Sequence, residues 1–583
     1  MQQNRECNGW RQRRFSFRHS VQGLMVALLC FFPVPSSSLA AEPPPDKEYF
    51  EIIKSIDLLG EVYREVSKNY VDTLNVSELM YAGIDGMLRT LDPYTVFLDE
   101  EDSGELDEQT NGHYVGVGIT IASLDGTFFV TSVAAGHPAA NAGIRVGDSI
   151  AAINKKEVKN MSPEEVKTRI KGTVGTSITF QLERQGAQPL TVTLVREEVR
   201  VNTVSYSGII DGVGYIEMKS FGARSAAELR EAFQGLSKQA QERHVPMKGV
   251  ILDLRNNPGG LLNAAVDVAS LFITQGSAVV SIRGRSLEVV KSYLTEAPPE
   301  DSVIPLVVLI NSQSASAAEI VSGAIQDLDR GVIIGERSFG KGLVQSVVKI
   351  SYDSSLKLTI AKYYTPSGRL IQKEVKMVDG KRKVLPGGRG EDASQVFKTK
   401  NGRKVYGSGG IQPDISLSEP AASPYLAELH KRGLPFFFST DYCSAYPVKP
   451  PSLVDRQALM ESFDDFLRNK KFVYTSDAER RFNELKESMA KSLPASDDSS
   501  RLKSFTVLQQ TIESMKAQEI ERASNDVAAD LEVEIFRHYD DHLARKAELD
   551  NDLAVKKAIE VLSDAAKYAS ALHPLVPVNC DIR

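Results

Sequence analysis

Three short apolar runs constrain the fold of this chain more than anything else in it: Val250-Ile251-Leu252-Asp253-Leu254, the stretch 304–310, and Val332-Ile333-Ile334. Each is nearly continuous rather than alternating, as a strand covered on both faces has to be. Helical patterns lie between them, so strands and helices alternate from about residue 201 to 417, the signature of an α/β core. A polar, basic insertion near 379–404 interrupts this core. It has almost no aromatic side chains for base stacking and reads as a solvated loop, not a nucleic-acid patch.

The flanking sequence divides around that core. Residues 42–111 read as an N-terminal helical segment, with Leu58, Val62, Val66 and Tyr70 at three- and four-residue steps and a polar, acidic stretch at 99–111 closing it. Residues 112–199 are β-rich. Gly116-Val117-Gly118-Ile119 leads into a strand, Phe128 to Val133 reads as another, and Pro138 to Ile144 fits a short helix with a glycine stop. Ser162-Pro163-Glu164-Glu165 opens a helix with an N-cap serine and first-turn acids. The core occupies 200–420. The remainder, 421–583, is a charged helical extension in which Ser476-Asp477-Ala478-Glu479 is a capping box and Leu531, Ile535, His538 and His542 share one helix face.

Residues 1–41 stand apart. Arg5, Arg11, Arg13, Arg14 and Arg18 precede nine apolar residues at 24–32, and Ser38 and Ala40 suit a cleavage site. Nine residues are too few to span a hydrocarbon core of ~30 Å. The segment reads as an export signal, which places the protein in the periplasm; left uncleaved it would anchor the chain to the membrane. Cleavage leaves Cys443 and Cys580 in an oxidising compartment, either paired or as two buried thiols. With 583 residues, 42% hydrophobic and 25% charged, the chain has ordinary globular composition for several domains. A net charge of −7 gives no reason to expect nucleic-acid binding, and four cysteines make neither a disulfide scaffold nor a metal cage.

Three stretches are candidates for chemistry. Gly335-Glu336-Arg337-Ser338-Phe339-Gly340-Lys341-Gly342 resembles a phosphate-binding loop, but Gly342 stands where Ser or Thr would ligate magnesium, and a strand pattern follows instead of a helix. His538 and His542 have zinc-ligand spacing, but Tyr539 replaces the glutamate of H-E-x-x-H and no third ligand is apparent. The third, 311–319, follows a buried strand and opens a helix, so a serine there is exposed on a strand-to-helix turn beside free backbone N–H groups. Small residues that merely let a helix pack on a sheet would look the same. A serine nucleophile needs a base, and none of the eight histidines lies between 246 and 429. Lysine serves only when neutral, and burial can lower its pKa by up to ~3–5 units. Lys341, glycine-flanked before an apolar strand, fits that role.

Taken together, Ser314-Ala315-Ser316-Ala317-Ala318-Glu319-Ile320, Ser338-Phe339-Gly340-Lys341-Gly342-Leu343-Val344-Gln345 and Asp253-Leu254-Arg255-Asn256-Asn257-Pro258-Gly259-Gly260 resemble the motifs of the carboxy-terminal processing peptidases, or tail-specific proteases. Tyr364-Thr365-Pro366-Ser367-Gly368, Gly410-Ile411-Gln412-Pro413-Asp414 and Leu91-Asp92-Pro93 extend the resemblance to about residues 50–417. It implies a ClpP/crotonase-like α/β peptidase core, with Ser316 as nucleophile, Lys341 as general base and Gln345 orienting the lysine. The oxyanion donors would be the N–H groups of Ala317 and one of Gly259 or Gly260. Ala318 stands where the family often has serine. The order of elements at 112–199 resembles a PDZ domain, whose loop Gly116, Val117, Gly118 and Ile119 would hold a peptide's terminal carboxylate while the next strand pairs with the peptide. The resemblance therefore implies a multidomain α/β serine endopeptidase that needs no metal or cofactor and recognises protein substrates by their C-terminal tails. The C-terminal extension would dimerise it, roof its site or bind an adaptor. The alternative is a PDZ scaffold that binds tails without cutting them.

Overall fold

The computed structural model describes residues 46–285, 291–373, 375–378, 381–384, 395–418, 423–446, 455–492 and 498–573. The segment 1–41, read as an export signal, and Cys580 lie outside these, and with them the cleavage and cysteine-pairing expectations. Two compact units divide at residue 83. In the first, the predicted helix forms as Asp46–Asn69, and the Tyr63 hydroxyl donates to the Val76 carbonyl at 2.8 Å. Its apolar stripe is uncovered: Leu58 is 59% exposed and Val62 53%.

In the second unit the apolar runs become the strands Val250–Asp253, Leu306–Ile310 and Val332–Gly335, paired in parallel and buried at every position. Val213–Met218 joins them in parallel, Val204–Ile210 pairs antiparallel outside it, and Ile415–Ser416 closes the far edge. Alternate side chains go to opposite faces of a strand. Leu252 and Val308 accordingly pack under the helices Ser225–Glu242, Leu262–Ser270 and Ala317–Asp327. Ile251, Val307, Leu309 and Ile334 face the other way, against Val555, Ala558, Val561 and Leu562 of the helix Leu553–Ser563. The C-terminal extension thus supplies the second layer of the α/β core, each large apolar side chain contributing about 1.5–3 kcal/mol on burial.

A second, antiparallel sheet contains Val96–Leu98, Ser355–Tyr364, Ala278–Arg283, Lys291–Leu294 and Leu343–Lys349. The β-rich module has its own core around Phe128, Val130, Ile150, Ile178 and Phe180, and Ser162 and Glu165 form the expected capping box. Its strand Ile119–Leu124 is the outermost of its sheet. Phe129 of the module meets Phe436 and Phe437 of the helical extension, ring centroids 5.8 and 5.4 Å apart. The extension's own core gathers Phe438, Phe463, Val527 and Leu531. Among the described residues no helix is long and apolar enough to cross a membrane.

One expectation gains detail and two need correction. The acidic stretch at 99–111, part of the segment read as helical, forms the helix Glu100–Asn111, with no apolar period to mark it. Asp99 caps it, acids fill its first turn, and Gly112 ends it in the left-handed region. The insertion near 379–404 is not simply a solvated loop. It includes the strand Lys381–Val384, paired with Val375–Val378, and the hairpin of Val396–Lys398 with Lys404–Tyr406. Its Arg403 is buried against Asp329 and Asp414. Nor do His538 and His542 share a helix. Asp540 breaks the run, its carboxylate accepting the His542 N–H at 2.8 Å to cap a new helix, Asp541–Asn551.

Candidate active site

Three loops leave the carboxyl ends of the parallel strands, the usual place for a site in an open α/β sheet. After Ile310, the Ser314 hydroxyl accepts the Asn311 N–H at 2.9 Å and donates to the Leu254 carbonyl at 2.8 Å. This pins a turn that delivers Ser316, half-buried, to the start of the helix Ala317–Asp327. Ser316 has φ +54° and ψ −113°. A serine held there costs about 1–3 kcal/mol, strain that clusters at functional sites. The Ala317 N–H finds no acceptor among the described residues.

The loop after Asp253 lies directly against this turn. The Ala315 N–H donates to the Asn257 carbonyl at 2.9 Å. A Cβ on Gly259 would stand 2.8 Å from Ser316 Cβ and 2.9 Å from Ala317 N, so only glycine fits. The sequence left Gly259 and Gly260 as equal candidates for an oxyanion donor; the geometry separates them. Asn257 Oδ1 accepts the Gly259 N–H at 2.9 Å, while the Gly260 N–H has no acceptor among the described residues.

Lys341 comes from the third loop, just before the strand Leu343–Lys349. Its Nζ donates to Gln345 Oε1 at 2.9 Å. Gln345 is fixed in that orientation because its Nε2 donates to the Tyr94 carbonyl at 2.6 Å, leaving only its oxygen for the lysine. The Tyr94 ring centroid lies 4.7 Å from the same Nζ. Burial, helped by the positive charge of Lys357, lowers the Lys341 pKa to about 8; Glu319 and Asp92 pull the other way. At pH 7 about one such lysine in ten is neutral, against about one in 2,500 at the ordinary value. Lys357 pairs with Val347 and Thr359 with Gln345, so Lys357 and Gln345 share a sheet face. Lys357 is half-buried, and its side chain makes no ion pair or hydrogen bond to a described residue.

Two side chains tie the serine turn to the lysine loop. Glu319 is fully buried and collects donors from both: the Ser316 and Lys341 N–H groups on Oε2, each at 2.9 Å, and the Gly340 N–H and Ser338 hydroxyl on Oε1, at 2.7 and 2.5 Å. Burial raises its pKa and these donors oppose the rise. The Tyr363 hydroxyl, also buried, lies 2.6 Å from the Lys341 carbonyl and 3.1 Å from that of Ser316. Asp92 shapes the turn that carries Tyr94, accepting the Tyr94 and Thr95 N–H groups at 2.8 Å each.

Hydrogen bonds therefore tie the serine turn, the 254–260 loop and the Lys341–Gln345 pair together, although none among the described residues joins the Ser316 hydroxyl to the Lys341 amine, and the Ala317 and Gly260 N–H groups are not in them. Sequence reasoning missed Glu319, Tyr363, Tyr94 and Lys357. Only Glu319 had a visible signal, as the acid three residues after the helix-opening serine. The loop Gly116, Val117, Gly118 and Ile119 takes no part in the network; it belongs to the β-rich module. There Gly118 has φ +79° and a Cβ on it would strike His137 at 2.6 Å, while His137 Nδ1 meets Glu197 Oε1 at 2.9 Å. Gly342 leads into a strand, so the phosphate-loop pattern lacks the helix it needs. Among the described residues no three His, Cys, Asp or Glu side chains cluster to hold a metal ion. The arrangement suits acyl transfer: a strained hydroxyl, a depressed lysine amine and two N–H groups without acceptors.

Profiles of known families match successive parts of the chain. A profile described as Peptidase family S41 matches residues 212–379, and one described as PDZ domain matches 105–183. Profiles for "Activating protease CtpB N-terminal domain" and "Probable PDZ-protease, C-terminal helical domain" match 38–102 and 425–562. The chain is 36% identical over 321 residues to a carboxy-terminal-processing protease of Bartonella bacilliformis, covering 55% of this chain and 73% of that one. It is 33% identical over 369 residues to the carboxy-terminal processing protease CtpA of Bacillus subtilis, covering 62% and 76%. Among solved structures it is similar to a photosystem II D1 C-terminal processing protease, at 30% identity and a TM-score of 0.33, over 64% of this chain and 95% of that one.

Proposed function

Because the chain belongs to the carboxy-terminal processing serine proteases of peptidase family S41, we propose that it is an endopeptidase in which Ser316 is the nucleophile, Lys341 the general base and Gln345 the residue that orients the lysine. Neutral Lys341 takes the Ser316 hydroxyl proton as Oγ bonds to the substrate carbonyl carbon. The carbonyl π electrons move to oxygen, which the Ala317 and Gly260 N–H groups stabilise. As the tetrahedral adduct collapses the C–N bond breaks, and the Lys341 ammonium returns the proton to the leaving amine. Water repeats the sequence on the acyl-enzyme and frees Ser316.

The β-rich module, matched by the PDZ profile, would capture the substrate's C-terminus. A peptide adding to the open edge of Ile119–Leu124 would place its carboxylate at Gly116–Ile119. The leader at 1–41 supports export, with the periplasm as site of action.

The observation that carries the reading is the lysine: its amine is buried, depressed to about 8 and held by an oriented glutamine, on a loop that shares Glu319 and Tyr363 with the serine turn. The test is mass spectrometry of products from an unfolded, tagged protein, comparing the parent with Ser316→Ala and Lys341→Ala and using tags with free and amidated C-termini. The parent is expected to cut, both variants to lose at least about 1,000-fold in rate, and amidation to slow cleavage. Variants that cut as fast as the parent would sink the dyad, and equal cutting of both tags would sink tail recognition.

A further inference from the structure

The helix Leu553–Ser563 that covers the second face of the core sheet begins at Asp552, whose two carboxylate oxygens do different things. Oδ1 caps the helix, accepting the Ala554 and Val555 N–H groups at 2.8 and 3.0 Å. Oδ2 accepts from Arg255 Nη2 at 2.7 Å. Arg255 is itself only 8% exposed, and it grips Asp253 at 2.6–3.0 Å through Nη2 and Nε. Asp253 in turn accepts the Tyr215 hydroxyl at 2.6 Å. A second tie runs beside the first: Arg545 Nη2, from the helix Asp541–Asn551, reaches Glu217 Oε1 at 2.5 Å and the Tyr215 hydroxyl at 3.2 Å.

Both ties fasten the extension to the carboxyl ends of Val213–Met218 and Val250–Asp253, where the loop 254–260 starts. On its other side that loop is bound to the serine turn. Asn256 N donates to Asn311 Oδ1 at 3.0 Å, Asn311 Nδ2 donates back to Asn256 Oδ1 at 2.9 Å, and Ala315 N meets the Asn257 carbonyl. Asp253 already gives Arg255 a paired carboxylate, so charge neutralisation does not by itself require Asp552. What Asp552 adds is a fixed point outside the sheet.

Building on the serine-peptidase reading, we propose that Asp552 is a positioning residue of the catalytic site: by holding Arg255 it sets the 254–260 loop and the Gly260 N–H. The C-terminal extension is then a working part of the catalytic apparatus, coupled to the oxyanion donors through the Arg255–Asp552 ion pair.

The test is Asp552→Asn in the full chain. Asparagine caps a helix as well as aspartate, so the helix keeps its start while the ion pair to Arg255 is lost. A loop misplaced by a fraction of an ångström is expected to lower kcat about 10-fold. KM, the affinity for a C-terminal tail peptide and the pH at which activity rises should stay at parental values, because neither the module nor the surroundings of Lys341 change. Affinity for a peptidyl boronic acid, which puts an oxygen where the oxyanion forms, should fall in parallel with kcat. Rates are normalised to sites titrated with a fluorophosphonate, so a partly unfolded sample still gives a reading. Asp564→Asn is the control. Asp564 caps the next helix by accepting the Ala566 and Lys567 N–H groups, and kcat should not change. A parental kcat and inhibitor affinity in Asp552→Asn, or an equal loss in Asp564→Asn, would overturn the proposal. A Ser316→Ala variant that still cuts would instead overturn the reading beneath it.

Discussion

Every residue of the strands Leu306–Ile310 and Val332–Gly335 is buried, while Leu343–Lys349 passes from half-buried to exposed along its length. The serine turn and the 254–260 loop grow out of the first, close-packed sheet and are held mainly by backbone and short polar side chains. Lys341 sits where the loop from the first sheet enters the second, and its position depends on a few ties: Glu319 from the core helix, Tyr363 from the second sheet, and the Asp92–Thr95 turn from the N-terminal side. The difference shows where precision is vulnerable. Groups on a close-packed sheet are located by many small contacts, whereas Lys341 is located by a few hydrogen bonds, each with a large share of the task.

Glu319→Ala is the strongest way to press on that contrast. It strips both loops of their shared acceptor and leaves buried donors unpaired, so kcat should fall at least about 100-fold and the urea midpoint should drop by an amount equal to about 3 kcal/mol. Glu319→Gln, which keeps the shape and one acceptor, should recover part of both. If Glu319→Ala unfolds more easily but keeps its kcat, Lys341 is located by something else. Tyr363→Phe removes one hydroxyl that bridges the Ser316 and Lys341 carbonyls. The expected result is about a 10-fold loss in kcat and about 1 kcal/mol in stability, read by steady-state kinetics and denaturant melts.

Lys357→Met gives the smallest effect and the sharpest one. Only the neutral form of Lys341 can accept a proton, so activity should rise with pH and level off above about 8. Lys357 disfavours the Lys341 ammonium. Removing its charge makes protonation easier, moves the rise to higher pH, and cuts activity at pH 7 about threefold without changing the plateau. A profile that stays in place would mean that the half-exposed sheet tunes the lysine by burial alone.

The buried sheet was legible because a continuous apolar run needs no tertiary context to be read. Ser316, Lys341 and Gln345 were legible as candidates because their motifs are local. What escaped notice depends on distant chain. Tyr363 and Lys357 sit in an alternating strand that looks like any half-buried strand, and Tyr94 meets the lysine only through the fold. The choice between Gly259 and Gly260 turned on the Asn257 side chain competing for one N–H. Asp540 and Asp552 were hidden in the same way: inside a charged helical pattern, a capping aspartate looks like one more exposed acid. Asp540 ends a helix and separates two histidines, and Asp552 joins the extension to the core.

The central claim is a buried lysine amine with a depressed pKa, on a loop tied to the strained serine turn. It is tested most directly by titrating Lys341 itself, through ¹³C-lysine NMR of the Ser316→Ala protein with the resonance assigned by its loss in Lys341→Met. A midpoint near 8 is the predicted result. A midpoint at the ordinary lysine value of ~10.4 would mean that Lys341 is charged at working pH, and no mechanism in which it accepts the serine proton would survive.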